Sequence, residues 1–390
     1  MAEQKKKIDY SLLLAIAVLL ALSLTFIYTA SSAKAFDNYG DATFFLKRQV
    51  FRILIAAVVL YFAMRIDYHV FLDYAPWIFW GALTLLLVLM FAPEEWTVRS
   101  TRRWLSVMGF RFQPSELAKI ALILMFARIL TLKSVEVRSF TDGVLPQLIL
   151  TGIVCTAVLL QPDAGTSIMI FLIIISMLFI AGARIWHLFA LFGAGISAVF
   201  FMLMSVPYQR NRLMGFIEAF GDESQIGWQV KQSLISLGNG GLFGVGLGES
   251  KQKLHWLPDP FTDFIFSIIG EELGLLGTLL VIGLFLVIVF RGFRIAMSAP
   301  DNEGRLLALG VTISIGLYAF MNMAVVLHLI PTTGIPMPFV SYGGSALIIN
   351  MFGVGLLLNI YQQGDERGLA RVLNLEKVKQ AALKLSATTN

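Results

Sequence analysis

Long hydrophobic stretches dominate this chain, and its polar residues are gathered between them. A helix needs about 20 predominantly apolar residues to cross a bilayer, and ten stretches approach or reach that length. The predicted membrane-spanning segments are residues 10–30, 49–65, 76–92, 114–131, 144–160, 166–183, 186–206, 263–290, 305–329 and 341–361. The pattern therefore predicts an all-α polytopic membrane protein with about ten transmembrane helices.

Two of the connections between these segments are long. Residues 93–113 contain four arginines and two tryptophans: Arg99, Arg102, Arg103, Arg111, Trp96 and Trp104. Residues 207–262 separate the seventh and eighth segments, and a connection of this length is usually functional. We expect one integral membrane domain over 1–390, with 207–262 as a large extracytoplasmic loop and 362–390 as a cytoplasmic tail.

The composition supports a membrane protein. Hydrophobic residues make up 57% of the 390 residues, charged residues only 14%, and the mean hydropathy is +0.77. An ordinary soluble domain has about 25% charged residues, so a cytosolic globular enzyme, a disordered chain and a nucleic-acid-binding protein are excluded. Cys155 is the one cysteine and the four histidines are scattered, which argues against a disulfide and a zinc site.

The basic residues give a prediction of orientation. Lys and Arg total 30 against 25 Asp and Glu, and short cytoplasmic loops are usually the more basic ones. A ten-helix arrangement divides the basic residues almost evenly, but on one face they concentrate in the two long loops and near Lys47 and Arg48. We therefore predict cytoplasmic termini and external long loops, whose positive charge an anionic ligand would explain.

Asp263 is the strongest candidate for chemistry. It lies where the long polar loop enters the eighth predicted segment. As a helix N-cap or first-turn acid, Thr262 or Asp263 would satisfy free backbone N–H groups and favour the helix dipole. As a carboxylate at the bilayer edge, Asp263 would act as a general base beside a lipid-linked substrate. The two interpretations are compatible.

Glu116, Lys119, Glu271 and Glu272 are further candidates within predicted membrane segments, where charge is costly and usually paired. Glu271 and Glu272 cannot both share a helical face with Asp263, so at least one is predicted to be structural. Glu116 and Lys119 are three residues apart at a helix start. They form either a local ion pair or a pair that lines a polar cavity.

Three loop segments add further candidates. Gln161–Thr166 is either a simple turn or a segment that brings Asp163 to the site as a second carboxylate. Residues 238–248 contain six glycines and precede Lys253, which favours close backbone approach, a mobile loop or an anion site. Residues 331–345 contain three prolines and cannot continue a helix, so they form either a buried plug or the wall of a groove.

Several motifs in this order resemble the SEDS family (shape, elongation, division and sporulation), which includes FtsW, RodA and SpoVE. The motifs are Arg103-Trp104-Leu105, Gln113–Lys119, Gln161–Thr166, Gly227-Trp228-Gln229 with Gln232-Ser233-Leu234, Leu257–Gly274 and Pro338–Ser345. The resemblance spans roughly residues 8–362. The departures from the family pattern, at Asp259, Ala164 and Ala346, remove no carboxylate from the expected site.

The resemblance implies a peptidoglycan glycosyltransferase that polymerises lipid II at the outer face of the cytoplasmic membrane. Asp263 corresponds to the family's essential aspartate and takes the catalytic role. The residues expected to bind substrate are Arg103, Trp104, Glu116, Lys119, Gln161, Asp163, Lys253, Ser341 and Tyr342. The segment Gly244–Lys253 resembles division-type FtsW more than elongation-type RodA, which remains the alternative.

The resemblance also implies partners. These are lipid II, a glycan strand linked to undecaprenyl pyrophosphate, a class B penicillin-binding protein and other cell-wall machinery, but no nucleic acid. No cofactor is assigned from the sequence, and a divalent cation such as Mg²⁺ or Mn²⁺ could assist the departing pyrophosphate. Two other functions are considered. A flippase for lipid II would use the buried charges as its polar path, whereas a scaffold that recruits cell-wall proteins would not need them.

Overall fold

The computed structural model describes residues 8–92, 103–107, 110–132, 136–205, 207–219, 226–253, 257 and 259–364 of the chain. Arg99, Arg102 and most of the predicted tail lie outside the described residues. The first helices are α1 (Tyr10–Tyr39), α2 (Phe44–Arg65), α3 (Tyr68–Asp73), α4 (Ala75–Phe91), α5 (Pro114–Ile129), α6 (Leu145–Leu160) and α7 (Ala164–Ala181). They are followed by α8 (Ile185–Ser205), α9 (Pro207–Glu218), α10 (Trp228–Gly240), α11 (Ile265–Met297), α12 (Asn302–Val326) and α13 (Gly344–Gly364).

Each of the ten segments predicted to span the membrane overlaps one of these helices. Among the described residues, six helical stretches are long and apolar enough to cross a bilayer: Tyr10–Tyr39, Phe140–Leu160, Ala164–Ala181, Ile265–Met297, Asn302–Val326 and Gly344–Gly364. A helix satisfies its backbone hydrogen bonds internally, which lipid cannot do for it. The prediction of an all-α polytopic membrane protein is confirmed.

Short polar and glycine signals set the ends of the long helices. Asp9, Asp163 and Asp301 are N-cap residues whose carboxylates accept the backbone N–H three residues further on. Gly40 and Gly182 end α1 and α7 in the left-handed conformation, which lets their N–H groups bond the last turn. The apolar runs therefore start and stop where the local sequence can satisfy the free backbone groups.

Side-chain contacts between distant helices define one end of the bundle, here called the Asp9 end. The guanidinium of Arg291, near the end of α11, donates to the carboxylate of Asp9 at the start of α1, with Nε to Oδ2 at 2.7 Å. His69, on α3, lies 3.1 Å from the carboxylate of Asp301, the N-cap of α12. The start of α1, the start of α12 and the last part of α11 are therefore neighbours.

The opposite end is called the Asp263 end. Lys34, on the last part of α1, pairs with Asp259 at 2.6 Å. The side-chain amide of Asn322, near the end of α12, donates to the backbone carbonyl of Asp263 at 2.8 Å. Helices α1, α11 and α12 thus each run from one end of the bundle to the other.

Helix α11 is broken, although its sequence predicts one continuous apolar helix. Gly274 has φ 68° and ψ −160°, which only glycine adopts readily. The glycine-rich segment fits against this break: the N–H groups of Val245 and Gly246 donate to the carbonyls of Glu271 and Glu272 at 2.9 and 3.1 Å. The glycines at 238–248 therefore serve close backbone packing in this region, the first of the interpretations given above.

The long connections contain structure that hydropathy did not predict. The first long connection contains two short paired antiparallel strands, β1 (Leu105–Val107) and β2 (Phe110–Phe112), with Leu105 opposite Phe112. The helices α9 and α10 lie within the predicted 207–262 loop, and α10 packs along α11. Helices α5, α7 and α11 pack around α12, which places the site described next among well-packed helices.

Candidate functional site

Asp263 lies just before α11 at the Asp263 end of the bundle. The N-cap of α11 is Phe264, without a side-chain capping bond, so the interpretation of Thr262 or Asp263 as the N-cap is wrong. The carboxylate faces the non-helical segment before α13: a Cβ added to Gly334 would lie 3.6 Å from Oδ2 of Asp263. The side chain is partly exposed, and capping does not occupy it.

The charge state of Asp263 is set by burial and by four charged neighbours. Burial raises the pKa of the Asp263 carboxyl to about 6. Arg212 and Arg103 lower it, while the negative charges of Asp259 and Asp163 raise it further. At pH 7 the group is mostly ionised yet more basic than an ordinary aspartate, which is the property required of a general base.

Asp163 is a second carboxylate beside this site. It caps α7 through the N–H of Thr166 at 3.2 Å, and it accepts the hydroxyl of Thr166 at 3.0 Å and the amide of Gln113 at 3.1 Å. Burial raises its pKa, against the opposing charge of Arg103. The turn interpretation and the site interpretation of Asp163 are therefore compatible.

Arg103 and Gln161 fix the turn that holds Asp163. The Nε of Arg103 donates to the backbone carbonyl of Gln161 at 3.0 Å, and its Nη2 donates to the carbonyl of Pro162. The amide of Gln161 donates to the carbonyl of Leu86 on α4 at 2.9 Å. Trp104 is partly buried immediately before β1. Arg103 is thus placed where its charge reaches both Asp163 and Asp263.

Glu116 and Lys119 form the ion pair that their spacing predicted. Their Nζ and Oε2 atoms are 2.7 Å apart, both side chains are almost fully buried, and the ammonium group lies 4.0 Å from the ring centre of Tyr318. The charge of Glu116 is near enough to Asp163 to raise its pKa. The charges of Glu116 and Asp263 thus both lie within electrostatic range of Asp163.

Ser341 and Tyr342 belong to the non-helical segment that forms one wall of the site. The hydroxyl of Ser341 accepts the N–H of Met337 at 2.8 Å, and the N–H of Tyr342 donates to the carbonyl of Phe261 at 2.9 Å. The ring of Tyr342 lies under the guanidinium of Arg52 at 4.2 Å. These contacts tie the wall to the segment that carries Asp263.

Lys253 is not brought into this group. Its ammonium pairs with the buried carboxylate of Glu272 at 3.2 Å, next to the break in α11. Glu271 accepts the hydroxyls of Ser236 at 2.7 Å and Ser250 at 2.5 Å. Both glutamates thus hold the 236–253 region against α11, which extends the structural role predicted for at least one of them.

The described part of the chain contains no preformed set of metal ligands. Among those residues, no three His, Cys, Asp or Glu side chains form a group that could hold a metal ion. The divalent cation considered from the sequence stays a prediction.

Arg212 is a residue of this site that the sequence did not single out. It lies on α9, and its Nη1 donates to the backbone carbonyl of Thr332 at 3.3 Å. It exerts the largest of the charge effects on Asp263. The available signal was its position in a long, basic connection between membrane segments, which did not distinguish it from its neighbours.

The order of motifs and the fold match one family of proteins. The family described as "Cell cycle protein", of FtsW, RodA and SpoVE, matches residues 10–366. The chain belongs to this family. A "Probable peptidoglycan glycosyltransferase FtsW" of Geobacter sulfurreducens is 41% identical over 355 residues, which cover 91% of this chain and 95% of that protein. The "Stage V sporulation protein E" of Bacillus subtilis is 40% identical over 369 residues, covering 92% and 98%.

A solved structure shows the same fold. A chain described under "Structural coordination of polymerization and crosslinking by a peptidoglycan synthase complex" superposes with a TM-score of 0.73 at 26% identity, covering 92% of this chain and 98% of that chain. The assignment to the SEDS family, on its FtsW-like side, is confirmed.

Proposed function

We propose that this protein is a peptidoglycan glycosyltransferase that polymerises lipid II, with Asp263 as the catalytic base. Relatives about 40% identical over nine tenths of the chain carry the name peptidoglycan glycosyltransferase. The observation that carries the proposal is the position of Asp263: a partly exposed carboxylate, not used for capping, with a pKa raised to about 6 among charged groups at one end of a membrane bundle.

The proposed reaction forms a β-1,4 glycosidic bond. The 4-hydroxyl of the GlcNAc of lipid II attacks the anomeric carbon of the donor MurNAc, whose bond to undecaprenyl pyrophosphate breaks. Asp263 accepts the hydroxyl proton as the attack proceeds, and the pyrophosphate leaves with the bonding electron pair. Since an α-linked donor becomes a β-linked product, one inverting displacement is enough, and a single base serves it.

The departing pyrophosphate needs positive charge beside it, and the candidate site supplies that charge on the side of Asp163. Arg103 and Lys119 are the predicted ligands nearest the Asp163 side of the site, and Lys253 is held by Glu272. Fixed cations stabilise charge that develops in the transition state more than charge present at the start. We assign substrate binding to the wall residues Ser341 and Tyr342 and to the turn at Gln161.

Ten membrane crossings account for the arrangement best. We propose that all ten predicted segments cross, that the Asp9 end faces the cytoplasm, and that the Asp263 end and the connection 207–262 face outwards. Contacts at the Asp9 end support an even number of crossings, because α1 starts and α13 ends beside the last part of α11: Asp9 pairs with Arg291, and a Cβ added to Gly364 would contact the carbonyl of Ser298.

We propose a class B penicillin-binding protein as partner. The matched solved chain comes from a peptidoglycan synthase complex that coordinates polymerization and crosslinking. A transpeptidase beside the Asp263 end would cross-link strands as they emerge.

The test is polymerisation of labelled lipid II by purified protein in detergent, followed on a gel. Detergent has no second leaflet, so a polymer requires catalysis and a flippase would give none. Asp263→Asn keeps the shape of the side chain but removes the base, and should lower the rate about 10²–10⁴-fold.

The control is Asp73→Asn, the same chemical change at a well-exposed side chain that pairs with Arg128 near the opposite end. It should keep the wild-type rate. Each variant is tested with and without the transpeptidase. A correctly folded Asp263→Asn protein with a near-normal rate would defeat the assignment of the base.

A further inference from the structure

Helix α9 lies against the non-helical segment before α13 through two side chains on one face. Arg212 donates to the carbonyl of Thr332 at 3.3 Å, and the ring of Phe216 meets the ring of His328 edge-on at 5.1 Å between centres. Residues 212 and 216 are four apart and therefore share a helical face. The contact is thus a packed surface of α9.

Residues 332–334, which Arg212 contacts, also lie close to Asp263 and to the first turn of α7, the helix that Asp163 caps. A Cβ at Gly334 would lie 3.6 Å from Oδ2 of Asp263, and a Cβ at Gly165, on the first turn of α7, would lie 2.8 Å from the carbonyl of Thr333. Residues 332–334 are therefore confined between α9, Asp263 and the start of α7. A shift of α9 would be transmitted to Asp263 within one or two residues.

We propose that Arg212 is a positioning residue of the active site, which seats α9 on residues 332–334 and keeps a positive charge facing Asp263. The inference rests on the proposed function, since it assigns a role towards the same base. The proposal also gives α9 a role in the reaction, because this helix carries one of the two cations that face Asp263.

The charges that face Asp263 come from four parts of the chain. Arg212 is on α9, Arg103 precedes β1, Asp163 caps α7, and Asp259 lies four residues before Asp263. Two cations thus oppose two carboxylates. Without Arg212, one cation faces two carboxylates, so protonation of Asp263 becomes easier and its pKa rises from about 6.

The experiment compares Arg212→Gln, Arg212→Lys and Arg210→Gln in the full-length protein. Arg210 is exposed on the same helix, two residues or about 200° away, so its replacement removes the same formal charge from another face. Polymerisation of lipid II is measured from pH 5.5 to 8.5 at saturating substrate. Protein yield and thermal unfolding in detergent report folding.

Arg212→Gln should shift the acid limb of the rate profile upwards by about one pH unit, which corresponds to about a threefold lower rate at pH 6.5 and little change at pH 8.5. Arg212→Lys keeps the charge and should restore the wild-type limb. Arg210→Gln should match the wild type throughout. If Arg212→Gln folds poorly, Arg212→Met takes its place, because it also removes the charge while keeping an unbranched side chain, and the same upward shift of the acid limb is expected.

Two results would overturn the proposal. One is an Arg212→Gln profile that matches that of Arg210→Gln. The other is a uniform loss at all pH values that Lys does not restore, which indicates a structural role alone. Neither touches the proposed function, which fails separately if Asp263→Asn remains active.

Discussion

At the scale of single residues, charged neighbours of both signs shift the pKa of Asp263, so a single substitution can raise or lower that pKa. Asp259 is the neighbour whose removal should lower the pKa of Asp263, because its negative charge raises it now. Asp259 has φ 47°, a left-handed conformation that Asn tolerates well. Asp259→Asn therefore removes the charge with little change to the backbone.

We expect the acid limb of the polymerisation rate to move to lower pH in Asp259→Asn. Asp263 must be ionised to act as a base, and a lower pKa keeps it ionised in more acidic solution. The loss of the negative charge and the release of Lys34 both act in this direction. Rate profiles of this variant and the wild type give the answer, and a limb displaced to higher pH would contradict the electrostatic account.

Sequence alone singled out Asp263 and Asp163 but not Arg212, the electrostatic partner of Asp263. The two aspartates stand in short motifs at the boundary of apolar segments, where a charge is conspicuous. Arg212 is one of several basic residues in a long connection. Its importance comes from the packing of α9 on residues 332–334, and a contact across more than a hundred residues leaves no local pattern.

At the scale of elements, hydropathy predicted where the membrane helices lie but not the break in α11. The run from Ile265 to Phe290 is predominantly apolar, with Glu271 and Glu272 as its charged residues, and membrane helices tolerate glycine, so Gly274 carried no signal of its own. The break becomes intelligible only with the partner segment in place: Leu275 donates to the carbonyl of Gly241 at 2.9 Å, which replaces a bond that the helix has lost.

Gly244→Ala tests this junction against Gly248→Ala. Both glycines have positive φ, 80° and 84°, so each substitution carries a similar backbone strain of about 1–2 kcal/mol. A Cβ at Gly244 would lie 2.2 Å from the carbonyl oxygen of Glu272, whereas at Gly248 nothing lies within 4 Å. We expect Gly244→Ala to destabilise the protein by about 1–3 kcal/mol more than Gly248→Ala.

Thermal unfolding in one detergent at one pH measures the difference between these two variants. Polymerisation should fall in Gly244→Ala as well, because α10 and the 236–253 region pack on the helix that follows Asp263. Equal melting temperatures for both alanine variants would show that the segment does not hold the break in α11.

At the scale of the whole molecule, the fold places both described ends of the chain at the Asp9 end and the proposed chemistry at the other. Residue 8 precedes Asp9, and residue 364 follows Gln363. The side-chain amide of Gln363 donates to the carboxylate of Asp67, at the start of α3. Lipid-linked substrates present their sugars at only one membrane surface at a time. The reaction therefore depends on which end faces outwards, a property of the complete bundle.

Cysteine labelling tests the orientation, and the chain suits it because Cys155 is its one cysteine. In a Cys155→Ser background, Asn211→Cys places a thiol on an exposed position of α9, next to Arg212. Asp73→Cys places one on an exposed position near the Asp9 end. A membrane-impermeant maleimide should label Asn211→Cys in intact spheroplasts and Asp73→Cys only after permeabilisation. The reverse pattern would put Asp263 on the cytoplasmic face and would contradict the proposed polymerisation at the outer surface.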